Sequence, residues 1–215
     1  MARKPASTAA DFLPEKRTLA ALRDAARSCR GCELYKNATQ TVFGEGPNQA
    51  NVVFVGEQPG DQEDRQGHPF VGPAGRLLDK ALTEARIPRE QVYVTNAVKH
   101  FRWIWRGKKR LHQKPAIRQV TACKPWLEAE LEALRPKIVV CMGATAAQAF
   151  LDGTVLITKE RGKFIASKSG LVTFITIHPS SIYRHREKDE QDKEYRRFAS
   201  EMKQVQRKLV SLETV

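Results

Sequence analysis

The sequence has no run approaching the roughly 20 apolar residues of a membrane span, and residues 1–17 mix Pro, Ser, Thr and charges without the apolar core of a secretory leader. The expectation is a cytoplasmic protein. Cysteine is scarce: four in 215 residues do not make a disulfide-stapled scaffold, and in a reducing compartment they read as thiols or metal ligands. Acidic residues are in deficit, with 24 Asp and Glu against 37 Lys and Arg, a formal charge of +13. A soluble chain so basic, with candidate metal ligands, points first to nucleic acid. Internal repeats are absent too, which excludes a solenoid. What is there is a 41% hydrophobic composition, enough for a folded core and too much for a basic disordered tail. The length fits a single domain over residues 18–215, with residues 1–17 as a flexible lead-in.

Short apolar runs bounded by turn residues, at Asn51 to Gly56, Val92 to Val98, Ile138 to Met142 and Val172 to Ile177, read as buried parallel strands. Helical patterns lie at Gly72 to Arg86, Ala116 to Leu134 and Ala144 to Leu151. A last helix from Lys188 to Leu212 carries Phe198, Met202, Val205 and Leu209 at spacings of three and four. This alternation predicts a layered α/β fold, whose active crevice lies beyond the C-terminal strand ends. Glu57 and Asp61, Asn96 and His100, and His178 with Ser180 and Ser181 all fall there.

Glu57-Gln-Pro-Gly-Asp61 lacks the Gly-Lys-Ser/Thr ending of a phosphate loop and carries two carboxylates. It either stabilises a developing cation or is a strand-end turn with solvated acids. From His100 to His112, Phe101, Trp103 and Trp105 interleave with Arg102, Arg106, Lys108, Lys109 and Arg110, a mixture that can stack on bases and neutralise phosphates. The nearby cations favour a neutral, nucleophilic imidazole at His112. His178 is either a rim catalyst or a capping core residue, whereas His68 and His185 read as structural or solvent-facing. Cys29-x-x-Cys32 needs two further ligands from Cys123, Cys141, His100 and His112, with zinc and iron–sulfur both open. Cys141, inside an apolar strand, reads as packing.

Gly56-Glu-Gln-Pro-Gly-Asp-Gln-Glu-Asp64, Gly67-His-Pro-Phe-Val-Gly-Pro-Ala-Gly75, Thr95-Asn-Ala-Val-Lys-His100 and His178-Pro-Ser-Ser181 together resemble family 4 of the uracil-DNA glycosylase superfamily. The basic insert ending in His112 resembles that of the UdgX subgroup, whose members excise uracil and stay attached to the abasic site. Lys109 and Leu111 replace the Arg and Ile usual there.

The resemblance implies a three-layer α/β/α sandwich around a short, mainly parallel four-stranded sheet. It also implies a structural 4Fe-4S cluster on Cys29, Cys32, His100 and Cys123, with Cys141 as the fallback to His100. Phe70 would stack on an everted uracil and Asn96 would pair with its edge, beside Gly56 and Gln58. His178 would donate to uracil O2. Glu57, with Asp61 supporting its loop, would stabilise the sugar cation or orient His112, and His112 would attack C1′. Lys108, Lys109, Arg110, Ser180, Ser181 and Arg184 would bind the DNA strand. The implied partner is uracil-containing DNA, single-stranded or duplex, acted on by a monomer. The competing readings are a turning-over family 4 glycosylase and a non-catalytic binder of single-stranded nucleic acid.

Overall fold

The computed structural model describes residues 7–151, 155–167 and 170–213. In chain order it contains α1 (Leu19–Ala26), β1 (Val52–Gly56), α2 (Asp61–Gln66), α3 (Pro73–Ala85), β2 (Val92–Asn96), β3 (Trp103–Arg106) and β4 (Lys109–His112). There follow α4 (Ile117–Leu134), β5 (Ile138–Met142), α5 (Ala144–Leu151), α6 (Ile157–Glu160), β6 (Phe164–Ala166), β7 (Val172–Thr176) and α7 (Lys188–Glu213).

The sheet runs β2-β1-β5-β7-β6, parallel except for the β6 edge. β1 and β5 are apolar along their length because both sheet faces are covered, and β7 adds buried Thr173 and Thr176 to its apolar residues. Val52, Phe54, Val94, Val140 and Phe174 meet Leu78 and Leu82 of α3 and Phe198, Met202 and Val205 of α7. The alternate residues Val53, Val55, Tyr93, Val139 and Ile175 meet Leu127 and Leu131 of α4 and Ala146 of α5. A third cluster outside α4 joins Leu22 and Ala26 of α1 to Phe43, Trp126, Cys29 and Cys123. Among the described residues no helix is long and apolar enough to cross a membrane.

The three-layer class is as expected, with local corrections. The sheet has a fifth strand, β6, whose three residues are too few to register as a hydrophobic period. β2 stops at Asn96 rather than Val98, because the chain turns there and the Ala97 N–H donates to the Gly56 carbonyl at 2.9 Å. The basic segment is an antiparallel hairpin pairing Trp103 with His112 and Arg106 with Lys109. The described part of the lead-in carries a capped turn, Ala9–Phe12. Thr8 Oγ1 accepts from the Ala10 N–H, the Thr8 N–H donates to Asp11, and Ala9 is buried in the third cluster. A single turn leaves no periodic signature; residues 1–6 lie outside the described residues.

Candidate active site

The ends of β1, β2, β5 and β7 surround a cavity of about 440 Å³, lined by Glu57, Phe70, Asn96, His112, His178 and Arg184 among others. This is the carboxyl-end crevice that an α/β sheet provides. At its floor Asn96 Oδ1 is buried and has no hydrogen-bond partner among the described residues. An orphaned buried acceptor costs about 1–3 kcal/mol, which a ligand N–H relieves. Gly56 makes room for it, since a Cβ there would stand 2.3 Å from Asn96 Oδ1 and 2.8 Å from the Phe70 ring. Phe70 adopts a left-handed backbone (φ 59°), and its carbonyl packs where a Cβ on Gly75 would be only 1.6 Å away. Its ring lies 6.0 Å from that of His178 at an interplanar angle of 29°.

His178 has a defined tautomer. The Ser180 N–H donates to its Nδ1 at 3.2 Å, so the ring proton sits on Nε2. Burial pushes its pKa down from 6.5 to about 4, with His112 and Arg184 adding to the effect. The ring is therefore a neutral donor at pH 7. Ser180 Oγ lies 2.8 Å from Nδ1, and Ser181 Oγ donates to the His178 carbonyl at 2.7 Å. Both hydroxyls, expected on DNA, are spent on holding His178.

His112 ends β4 on the cavity rim with its side chain 44% exposed, and its Nε2 is 3.5 Å from Glu57 Oε1. Partial burial pulls its pKa below 6.5, opposed by Glu57 and assisted by Arg184. The other oxygen of Glu57 accepts from the Thr145 hydroxyl. Gln58 closes the base of the hairpin. Its Oε1 accepts from the Arg102 N–H at 3.0 Å, and its Nε2 donates to the carbonyls of Arg102 and Gln113 at 3.2 and 3.0 Å.

Arg110 departs from its expected role on DNA. Its guanidinium is 7% exposed, pairs with Asp61 and, at 2.7 Å, with fully buried Asp64, and lies over the Phe101 and Trp103 rings. It fastens the hairpin to α2, because fully buried Asp64 and half-exposed Asp61 together hold the planar cation more firmly than an exposed phosphate does. Asp61, which also pairs with Arg65 at 2.9 Å, is part of this clamp. Lys108 and Lys109 remain exposed at the hairpin turn, and Arg184 is exposed at the rim.

Thr145 and Asp64 were missed by sequence reasoning. Asp64 follows Asp61 by one helical turn on α2, a legible signal. Thr145 follows the end of β5, a strand end that presented no ionisable residue.

Cys29, Cys32 and Cys123 share the third cluster. Burial raises the pKa of Cys32 and Cys123, the latter to about 12, and the neighbouring thiols add to both shifts. Trp126 Nε1–H donates to Cys29 Sγ at 3.2 Å and the Lys99 N–H to Cys123 Sγ at 3.3 Å. Thr41 donates its only hydroxyl proton to the Ala26 carbonyl at 2.9 Å, so at the 2.9 Å contact with His100 the ring Nε2 must be the donor. His100 Nδ1 is left with a free lone pair, the form a metal ligand needs. This donor chemistry fits an iron–sulfur cluster, although among the described residues no group of three or more donors stands in metal-holding geometry. Cys141 packs in the other core, on β5 between the sheet and α4 and α5.

Comparison with known proteins agrees with this architecture. The profile of the uracil DNA glycosylase superfamily matches residues 43–203. The type-4 uracil-DNA glycosylase of Thermotoga maritima is 41% identical over 161 residues, covering 74% of this chain and 80% of the relative. That of Archaeoglobus fulgidus is 36% identical over 179 residues, covering 80% and 86%. The type-5 uracil-DNA glycosylase of Pyrobaculum aerophilum is 28% identical over 154 residues, 64% of each chain. With three quarters of its length matched by the family profile and these relatives, the chain belongs to the uracil DNA glycosylase superfamily.

Proposed function

We propose that this protein excises uracil from DNA and that His112 then captures the abasic sugar covalently. The observation that carries the reading is the approach of His112 Nε2 to Glu57, 3.5 Å, at the mouth of a cavity with an unpaired Asn96 acceptor at its floor.

The target nucleotide leaves the stack to reach such a pocket. Uracil N3–H donates to Asn96 Oδ1 and the amide donates to O4; cytosine presents the opposite order, leaving unpaired groups in a dry site. Phe70 stacks on the ring, a contact worth about 1–3 kcal/mol per base. As the C1′–N1 bond breaks, its electron pair leaves with uracil, and His178 Nε2–H stabilises the charge gathering on O2. The Glu57 carboxylate faces the cationic C1′. His112 Nε2 gives its proton to Glu57 and bonds to C1′; the uracil anion takes up a proton on release. A held imidazole outcompetes water through its effective concentration, and the product is an N–C bond that ends turnover. Exposed Lys108, Lys109 and Arg184 supply phosphate contacts. All these groups come from one chain, so a monomer suffices.

Cys29, Cys32, Cys123 and His100 through Nδ1 would hold a 4Fe-4S cluster. When bound, it cross-links the N-terminal segment to the turn after β2, a structural service. Nothing in the glycosidic step needs an electron.

A second reading, a turning-over glycosylase in which water attacks C1′, is favoured by the 41% identity to a type-4 relative. One experiment separates the two. Protein is mixed with an equimolar single-stranded oligonucleotide bearing one uracil, then examined by denaturing gel and intact mass. A heat-stable species of protein plus oligonucleotide minus uracil supports capture, and uracil release without it supports turnover. His112→Ser should keep excision and abolish the adduct; an adduct that persists moves the nucleophile elsewhere.

A further inference from the structure

Lys99 and Glu130 take no part in the chemistry above, yet both side chains are 0% exposed. Lys99 Nζ donates to Glu130 Oε2 at 2.5 Å, Thr95 Oγ1 at 2.6 Å and the Asn96 carbonyl oxygen at 2.9 Å. The ammonium has three donors and all are used. Glu130 is saturated in turn, accepting from the Tyr93 hydroxyl at 2.9 Å, the Gly44 N–H at 3.1 Å and the Thr95 hydroxyl at 3.0 Å. A buried ion pair returns little stability that a well-packed apolar pair would not match. What an apolar pair cannot do is hold the Asn96 carbonyl.

That carbonyl closes the turn from Asn96 to Lys99, whose other bonds reach both neighbouring sites. The Ala97 N–H donates to the Gly56 carbonyl at 2.9 Å, the Val98 N–H to that of Glu57 at 3.0 Å, and the Lys99 N–H to Cys123 Sγ at 3.3 Å. The Asn96 side chain at the head of this turn carries the unpaired Oδ1 of the pocket. We infer that Lys99, with Glu130 as its counter-ion, is a positioning residue for base recognition: it fixes the Asn96 backbone so that the carboxamide meets the uracil edge in one orientation. The inference rests on the uracil-pocket reading above.

The test uses the full-length chain labelled with ¹⁵N and titrated with free uracil, following the Asn96 side-chain amide signals. The variants are Lys99→Met/Glu130→Gln, which leaves no buried charge, and Tyr93→Phe, which removes a bond to Glu130 but none to Asn96. The double variant should remain folded by thermal melt and visible absorbance and bind uracil roughly ten- to hundredfold more weakly, with the Asn96 amide signals broadened or split. Tyr93→Phe should stay within about twofold of wild type, as no recognition contact is touched. Should the double exchange fail to fold, Lys99→Arg keeps the charge pair, but in this fully buried slot a larger planar fork cannot reproduce the three-way fan of Nζ onto Glu130, Thr95 and the Asn96 carbonyl, and it should show the same loss. Wild-type affinity in a folded double variant or in Lys99→Arg overturns the inference, as does an equal loss in Tyr93→Phe, which would make the network merely structural. If wild type itself does not bind uracil, the pocket reading fails first.

Discussion

Gly56→Ala tests whether the cavity floor recognises the base. Gly56 ends β1 opposite Asn96, and its missing Cβ is occupied space: 2.3 Å from Asn96 Oδ1 and 2.8 Å from Phe70 Cζ, where ordinary contact begins at 3.4 Å. Asn96 is 3% exposed, so it cannot swing into solvent. A methyl group must displace the carboxamide by about 1 Å and the ring edge by about half that. Overpacking of this kind costs about 1–3 kcal/mol, and at about 2–4 °C per kcal/mol for a chain of this size Tm should fall by about 2–12 °C. The protein stays folded. A recognition group misplaced by about 1 Å costs on the order of 100-fold in rate. The assay is single-turnover uracil release from a single-stranded oligonucleotide, since capture would hide a steady-state rate, with a thermal melt run in parallel. Excision within about threefold of wild type in a variant whose Tm has dropped would refute the argument, because the strain would then have been absorbed away from the amide and the ring.

Three further outcomes follow from the geometry. Arg110→Met strips fully buried Asp64 of its cation; Thr39 still donates to that carboxylate, so the cost should sit near the low end for a broken buried pair, about 3 kcal/mol. Denaturant melts measure it, and accelerated proteolysis within 103–112 reports the loosened hairpin; an unchanged melt would mean the clamp is idle. Acid should act through the histidines. The unfolded chain protonates His178 near 6.5 but the folded one only near 4, so its contribution to stability is full above pH 6.5 and declines as pH falls toward 4. His178→Gln should flatten that part of the Tm–pH curve, and the midpoint for adduct formation should lie below 6.5, because the pKa of His112 is lowered. A midpoint at or above 6.5 contradicts this. Cys29→Ser should lose iron and visible absorbance whereas Cys141→Ser should retain both; iron analysis decides, and loss from Cys141→Ser would return that residue to the ligand set.

The sequence by itself determined the layered sheet and the rim. A strand covered on both faces must be a short continuous apolar run, and a parallel sheet puts its loops and their polar residues at one end; Glu57, Asn96 and His178 were thus legible before any contact was known. The cavity also collects Phe70, which motif resemblance alone supplied, and His112, which its cationic neighbours marked out and periodicity did not. Only the tertiary structure decided what each charge is for. Arg110 reads as a phosphate ligand in a basic run, but it meets carboxylates 49 and 46 residues away. Ser180 turns inward to set the tautomer of His178 while Ser181 bonds its carbonyl, and Thr41, 59 residues from His100, fixes which ring nitrogen is bare. Local pattern records which surfaces a segment must bury, because burial follows the period of the backbone. Hydrogen bonds and ion pairs between distant segments have no period, so they exist only once the fold has brought the partners together.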